Sequence, residues 1–310
     1  MLRYILKRLA EVIPTTIGIL LLTFLLFNVI GGSPAEVLLG KNATAESIAA
    51  FNHKWGYDKP LILARDSQFS TFMLDLLHGN FGYSIELDEP VIDILKRGVG
   101  PSLSLTVPIL AVGAILALSL AMISAAFRSR WPDKVILLFS TLLMSVNYVI
   151  WVLAGQYFLS FKAGLFPVWG YESWAYLVLP VLIGIFSSLG MDIRFFRTAI
   201  LDELYKPYVL TAKAKNLSSG RIMVLHVLRN ALIPIVTYVS LSIPYLFTGS
   251  LLLESFFGIP GLGSVSINAI HSSDMAVVRS VVVLGALLYQ FVNLAADILS
   301  AMLDPRVRLS

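Results

Sequence analysis

The chain has 310 residues, 57% of them hydrophobic and 14% charged, with a mean hydropathy of +0.81. Soluble domains carry about 25% charged residues, so the composition excludes an ordinary soluble domain and points to a membrane protein. The net charge of +4 is no sign of nucleic-acid binding, because the basic residues fall between apolar runs and not on one soluble face. The absence of cysteine excludes disulfides, thiolate metal sites and cysteine nucleophiles.

The N-terminal stretch MLRYILKRLAEVIPTTIGILLLTFLLFNVI pairs a basic start with a long apolar run. The run exceeds the roughly 7–15 residues of a signal-peptide core and passes into GGSP without a small-residue cleavage site, so it reads as a retained helix. Spanning helices need about 20 mostly apolar residues. Six segments qualify, at approximately 10–30, 103–126, 135–160, 174–191, 231–253 and 277–303. The predicted organisation is a tail and first span (1–30), a polar outer segment (31–100) and a five-helix core (101–310) that includes a basic loop at 192–230. In the outer segment, Asp58-Lys59-Pro60 predicts a break between two short helices, and Gly98 and Gly100-Pro101 mark the return to the membrane.

Lys and Arg favour the cytoplasmic side near helix ends. With the N-terminus inside, the inner segments hold 15 of the 23 basic residues, while 31–100 holds six basic and nine acidic ones. Both termini are then expected in the cytoplasm.

Enzymatic chemistry is not evident. The nearest approach to a phosphate-binding loop, AEVLLGKN at 35–42, has Ala35 where glycine is required and Asn42 where a hydroxyl should follow Lys41. His53, His78, His226 and His271 are scattered without metal-site spacing. Polar residues do recur within the spans. The third has Asn147, Tyr148 and Gln156; the sixth has Gln290, Asn293 and Asp297, the last placed for a salt bridge or cap. The fifth is densest, and Tyr238, Ser242 and Tyr245 recur at i, i+4 and i+7, a face that either lines a water-filled path or bonds a neighbouring helix.

Between the fourth and fifth spans, YVLTAKAKNLSSGRIMVLHVLRNALIPIVT (208–237) reads as helix, turn, helix. Ala212 and Ala214 favour helix, Asn216 tolerates the left-handed conformation that ends one, and Ser218 or Ser219 can cap the next. Such a segment is either a basic topology loop or a rigid docking element.

From Thr211 onward this stretch resembles the EAA loop of ABC importer permeases, most closely the T-A-x-A-K-G-L…H-x-L-R-N-A-x-x-P form of the dipeptide, oligopeptide and nickel permeases. Three further stretches are similar to the same family in the same order. They are MLRYILKRLAEVIPTTIGILLLTF, GYDKPLILARDSQFSTFMLDLLHGNFGYSI and SFFGIPGLGSVSINAIHSSDMAVVRSVVVLGALLYQFVNLAADILSAMLDPRVR. The resemblance covers nearly the whole chain and is closest to the B-type subunit. It departs at Asn216, where the family has glycine, and at SVNYVIWVL, where Asn147-Tyr148 replace a proline region and the loss of a helix kink is expected.

The resemblance implies a type I ABC importer permease, an all-α polytopic protein of the bacterial inner membrane with a re-entrant outer segment near 254–276. Implied partners are a second homologous permease, one or two cytoplasmic P-loop ATPases and an extracytoplasmic substrate-binding protein that lands on 31–100 and 254–276. ATP and magnesium would be bound by the ATPases, with no cofactor in this chain. Thr211, Ala212, Ala214, Asn216, Leu217 and Arg221 would contact the ATPase, the two alanines permitting close approach. Asn147, Tyr148, Tyr238, Ser242 and Tyr245 would line the path of a peptide or related small solute. A nickel or metal-chelate importer is the nearest alternative, and a self-sufficient ion-coupled carrier a more distant one.

Overall fold

The computed structural model describes residues 2–30, 35, 39–40, 43–62, 66–84, 86–243 and 250–303. Among them, five helices are long and apolar enough to cross a membrane: Ala10–Asn28, Val91–Ala126, Ala175–Leu204, Ser219–Ser240 and Met275–Ala295. Two helix pairs are sharply bent, Trp131–Ser145 with Tyr148–Lys162 by 88° and Leu251–Phe257 with Leu262–His271 by 83°. In chain order the helices are α1 (Leu2–Leu25), α2 (Ala45–Trp55), α3 (Gln68–Leu77), α4 (Val91–Ala126), α5 (Trp131–Ser145), α6 (Tyr148–Ala154), α7 (Ala175–Leu204), α8 (Pro207–Ala214), α9 (Ser219–Arg221), α10 (Arg229–Ser240), α11 (Leu251–Phe257), α12 (Leu262–His271) and α13 (Met275–Leu303). Wider π-type turns extend α1 over Leu26–Ile30 and α6 over Gly155–Lys162, and join α9 to α10 over Ile222–Leu228.

Four expectations are corrected. The second span does not begin after Gly100-Pro101; α4 starts at Val91 and carries both Pro101 and Pro108 inside it. Gly98 is a contact site and not a break, since a Cβ there would lie 2.8 Å from Leu262 Cδ2. The third span is not a single kink-free helix. Val146 and Asn147 are extended, and the Asn147 side chain accepts from Val149 N at 2.9 Å to start α6. A capping side chain supplies a fresh helix start without proline, so the chain turns sharply where straightening was expected.

The fourth span is not short. α7 runs on to Leu204 because its buried face continues through Ile193, Phe196, Ala199 and Ile200, while Arg194 and Arg197 find partners on α5. The fifth is displaced: its helix covers Ser219–Ser240, Leu251 onward belongs to the second bent pair, and 244–249 lie outside the described residues.

Without a hydrophobic drive between helices in lipid, small residues and polar bonds at the contacts decide packing. The α4–α7 contact is the most extensive between any two described helices. At its centre Gly184 faces Ile109 so closely that a Cβ would meet Ile109 Cδ1 at 2.4 Å. On the other side of α7, Ser140 of α5 donates to Gly190 O at 2.5 Å. Arg197 of α7 forks onto Asp133 through Nε and Nη2, both at 2.9 Å. Ser124 Oγ and Ser129 N also donate to that carboxylate. Large apolar side chains on the opposite faces, such as Ile115, Leu138, Leu142 and Phe291, stay exposed, as a lipid-facing surface requires.

The polar segment packs on α1 and α13 through Phe24, Phe72 and Val283. The expected pair of short helices is present, α2 ending at Gly56 in the left-handed region (φ 74°) and α3 opened by a Ser67–Ser70 capping box. A two-residue antiparallel ladder, β1 (Tyr83–Ser84) with β2 (Glu89–Pro90), is a small departure from an all-helical fold. It is held by a Ser84–Asp274 hydrogen bond and an Arg97–Glu89 ion pair. The Arg97 guanidinium holds the Glu89 carboxyl below its ordinary range.

Candidate functional site: a polar cavity and a basic loop

α4, α6, α7, α10 and α11 converge on a cavity of about 320 Å³. Its wall includes Thr106, Tyr148, Ser187, Ser188, Asp192 and Tyr238, with Ser242 and Ser250 beyond. Tyr238 donates from its phenol to Asp192 Oδ1 at 3.0 Å and stacks on Phe195 with ring centroids 4.2 Å apart. Across the cavity, the Tyr148 and Ser250 hydroxyls are 3.1 Å apart.

The wall that carries Ser250 is fixed by a fully buried carboxylate. Glu254 Oε1 accepts from Ser102 Oγ at 2.8 Å and Ser250 N at 3.1 Å. Its Oε2 accepts from Gly263 N at 2.6 Å and Ser264 N at 3.1 Å, at the start of α12. One side chain therefore ties both arms of the α11–α12 bend to α4. Glycine is needed at 261, where a Cβ would lie 2.4 Å from Glu254 Oε2.

Of the five expected path residues, the structure brings Tyr148, Tyr238 and Ser242 to this cavity. Tyr245 lies outside the described residues. Asn147 does not line the cavity; it is exposed at the α5–α6 break, where its side chain serves as the cap. Elsewhere in the spans, Gln156 Nε2 donates to Phe256 O at 2.8 Å, and Thr237 bonds its own helix at Ile233 O. Gln290 and Asn293 do not reach the cavity, and the Asp297 side chain is outside the described residues. Sequence reading missed Asp192, Ser187 and Ser188. Ending the fourth span at 191 left Asp192 in a loop, although the four-residue spacing of Ser188 and Asp192 places them on one helix face.

At one end of the bundle, α8 turns back through residues 215–218. Asn216 sits at φ 57°. Leu217 N bonds Ala212 O at 3.3 Å and Asn216 N bonds Lys213 O at 2.9 Å, the paired bonds of a Schellman helix end. Ser218 occupies the cap position of α9, but its side chain makes no capping bond.

Val209 and Ala212 are buried in the core shared by α4, α7 and α10, with Leu217 packed against it. Ala212 faces inward, where its small side chain lets α8 lie against the bundle. Leu217 is half-buried, whereas Thr211, Ala214, Asn216 and Arg221 are exposed. Leu210, not singled out from the sequence, is 67% exposed and stands one turn from Ala214.

Comparison with known proteins gives these features a common origin. Residues 113–309 match the family described as binding-protein-dependent transport system inner membrane component. Residues 1–106 match the N-terminal domain of such membrane components. The "Glutathione transport system permease protein GsiC" of Salmonella typhi is 33% identical over 309 residues, covering 99% of each chain. That of Escherichia coli (strain K12) is 32% identical over the same span. The chain therefore belongs to the binding-protein-dependent transport system inner membrane component family, as a multi-pass membrane permease subunit of an ABC importer and not an enzyme.

Proposed function

We propose that this chain forms half of the path by which an ABC importer moves peptide-like solutes, and that α8 and the turn after it are the surface on which a cytoplasmic P-loop ATPase docks. Both termini lie in the cytoplasm in this reading. A second, homologous permease completes the path, one or two ATPases bind ATP and magnesium, and an outer binding protein delivers cargo to 31–100 and the α11–α12 bend. Glutathione, for which the relatives are named, sets the chemical class: a short peptide with free charged ends.

The observation that carries the docking reading is the two-faced build of α8. Its inner face, Val209 and Ala212, belongs to the same core as α7 and α10, while Leu210 and Ala214 present an uncovered apolar and small surface. A push on the outer face is transmitted to α10, and so to Tyr238 at the cavity, as rigid-body rocking between two states. Leu210→Asp or Ala214→Arg in the assembled importer is expected to abolish co-purification of the ATPase while membrane insertion and the heat stability of the chain stay at parent level. Normal ATPase recovery with both variants overturns the docking assignment.

A further inference from the structure

Among the described residues that line the cavity between α4, α6, α7, α10 and α11, one is ionised in water at neutral pH, Asp192. Among the described residues no Lys, Arg or His pairs with it. The two cations that follow it on α7 are engaged elsewhere, Arg194 with Thr141 and Arg197 with Asp133. Its partners are neutral hydroxyls, the Tyr238 phenol at 3.0 Å and the Ser188 side chain one helical turn back. Two hydroxyl donors leave the negative charge itself without a counter-ion, and ionisable groups on spanning helices that lack one mark solute and ion routes.

The remaining wall suits an ammonium group. Tyr148, Tyr238 and Phe196 offer aromatic rings, and Thr106, Ser187 and Ser242 offer hydroxyl oxygens; both features stabilise alkylammonium ions. From these observations we infer that Asp192 is a solute-recognition residue, and that this cavity takes the free ammonium end of a peptide-like solute as it passes. The inference rests on the reading of the cavity as part of the transport path and adds to it a charge preference within the membrane.

The chain's lack of cysteine makes the test clean. In membranes carrying the assembled importer, Ser242→Cys places one thiol of this chain on the cavity wall. Its reaction rates with a cationic trimethylammonium-ethyl methanethiosulfonate and an anionic sulfonatoethyl methanethiosulfonate are compared, each normalised to a small free thiol. A cavity lined by one sign of charge raises local counter-ion concentration about tenfold or more. The cationic reagent is therefore expected to be favoured about tenfold. Asp192→Asn should abolish that preference. Tyr238→Phe, which keeps the carboxylate, should retain it.

A preference unchanged by Asp192→Asn overturns the inference alone and leaves the path reading standing. Inertness to both reagents in every nucleotide state overturns both. If Asp192→Asn does not assemble, the parent ratio decides, and no cationic preference in Ser242→Cys overturns the inference.

Discussion

Glu254 is the most demanding polar group described in this fold, and its replacement by Gln tests the account of the α11–α12 bend. The change keeps the shape and removes one acceptor oxygen. If the amide nitrogen takes the Oε2 position, Gly263 N and Ser264 N both lose their acceptor. If it takes the Oε1 position, Ser250 N is orphaned, and the Ser102 hydroxyl, which also accepts from Leu262 N at 2.8 Å, loses its carboxylate.

The second arrangement is the cheaper. A buried donor without a partner costs about 1–3 kcal/mol, and bonds to a charged acceptor are worth about 1.5–3 kcal/mol each. A net loss of about 2–4 kcal/mol follows for Glu254→Gln. Glu254→Ala strands every donor and leaves a void, so its loss is larger. For a chain of this size 1 kcal/mol moves the melting temperature by about 1.5 °C. Heating the detergent-purified chain and following its monodisperse fraction should show a drop of at least about 3 °C for Gln. A greater drop is expected for Ala. A melting temperature within about 1 °C of the parent for Gln, with Ala no worse, would refute the reasoning.

Other consequences can be measured in the same way. Asp133 and Arg197 are 4% and 17% exposed, so removing either alone strands a buried charge at a cost of about 3–5 kcal/mol. Asp133→Asn combined with Arg197→Met should cost clearly less than the two losses added, and strict additivity would deny the pairing. Asn216→Gly should hold or slightly raise stability, because φ 57° is free of strain only for glycine. Asn216→Val should lower it, and equal melting of the two would argue against the left-handed turn. Gly190→Ala places a Cβ 2.6 Å from Ser140 O. It should destabilise by about 1–3 kcal/mol through overpacking, and a neutral result would deny the close α5–α7 approach.

The rough place of the long apolar helices was legible because about 20 apolar residues in a row have few other uses, whereas the two bent pairs were not. The Schellman turn was legible too, since Asn after an alanine-rich helix has a local conformational meaning. What misled were residues whose roles depend on distant partners. Arg194 and Arg197 looked like the end of a span, yet Thr141 and Asp133, more than fifty residues earlier in the chain, supply their bonds and let α7 continue. Gly98 and Pro101 looked like a boundary, although Leu262, far along the chain, is what requires the glycine. Asn147 read as a polar path residue, and its acceptor capacity is spent on the backbone two residues on. Ala212 and Ala214 are alike in sequence and opposite in environment, because only the packing of α8 against the bundle distinguishes its two faces.

That division of α8 bears on how partnerships change over evolutionary time. The shape of the loop is set by Val209, Ala212, Leu217 and the backbone bonds around Asn216, all on or beneath its inner side. The outward positions, Leu210, Thr211, Lys213, Ala214 and Lys215, contribute little to that shape. Mutations there are free to accumulate without unfolding the permease, so, on the docking reading proposed above, duplicated importers in one cell would drift apart in which ATPase they accept while keeping the same loop shape. Exchanging those five residues between two such systems is thus a compact way to rewire them.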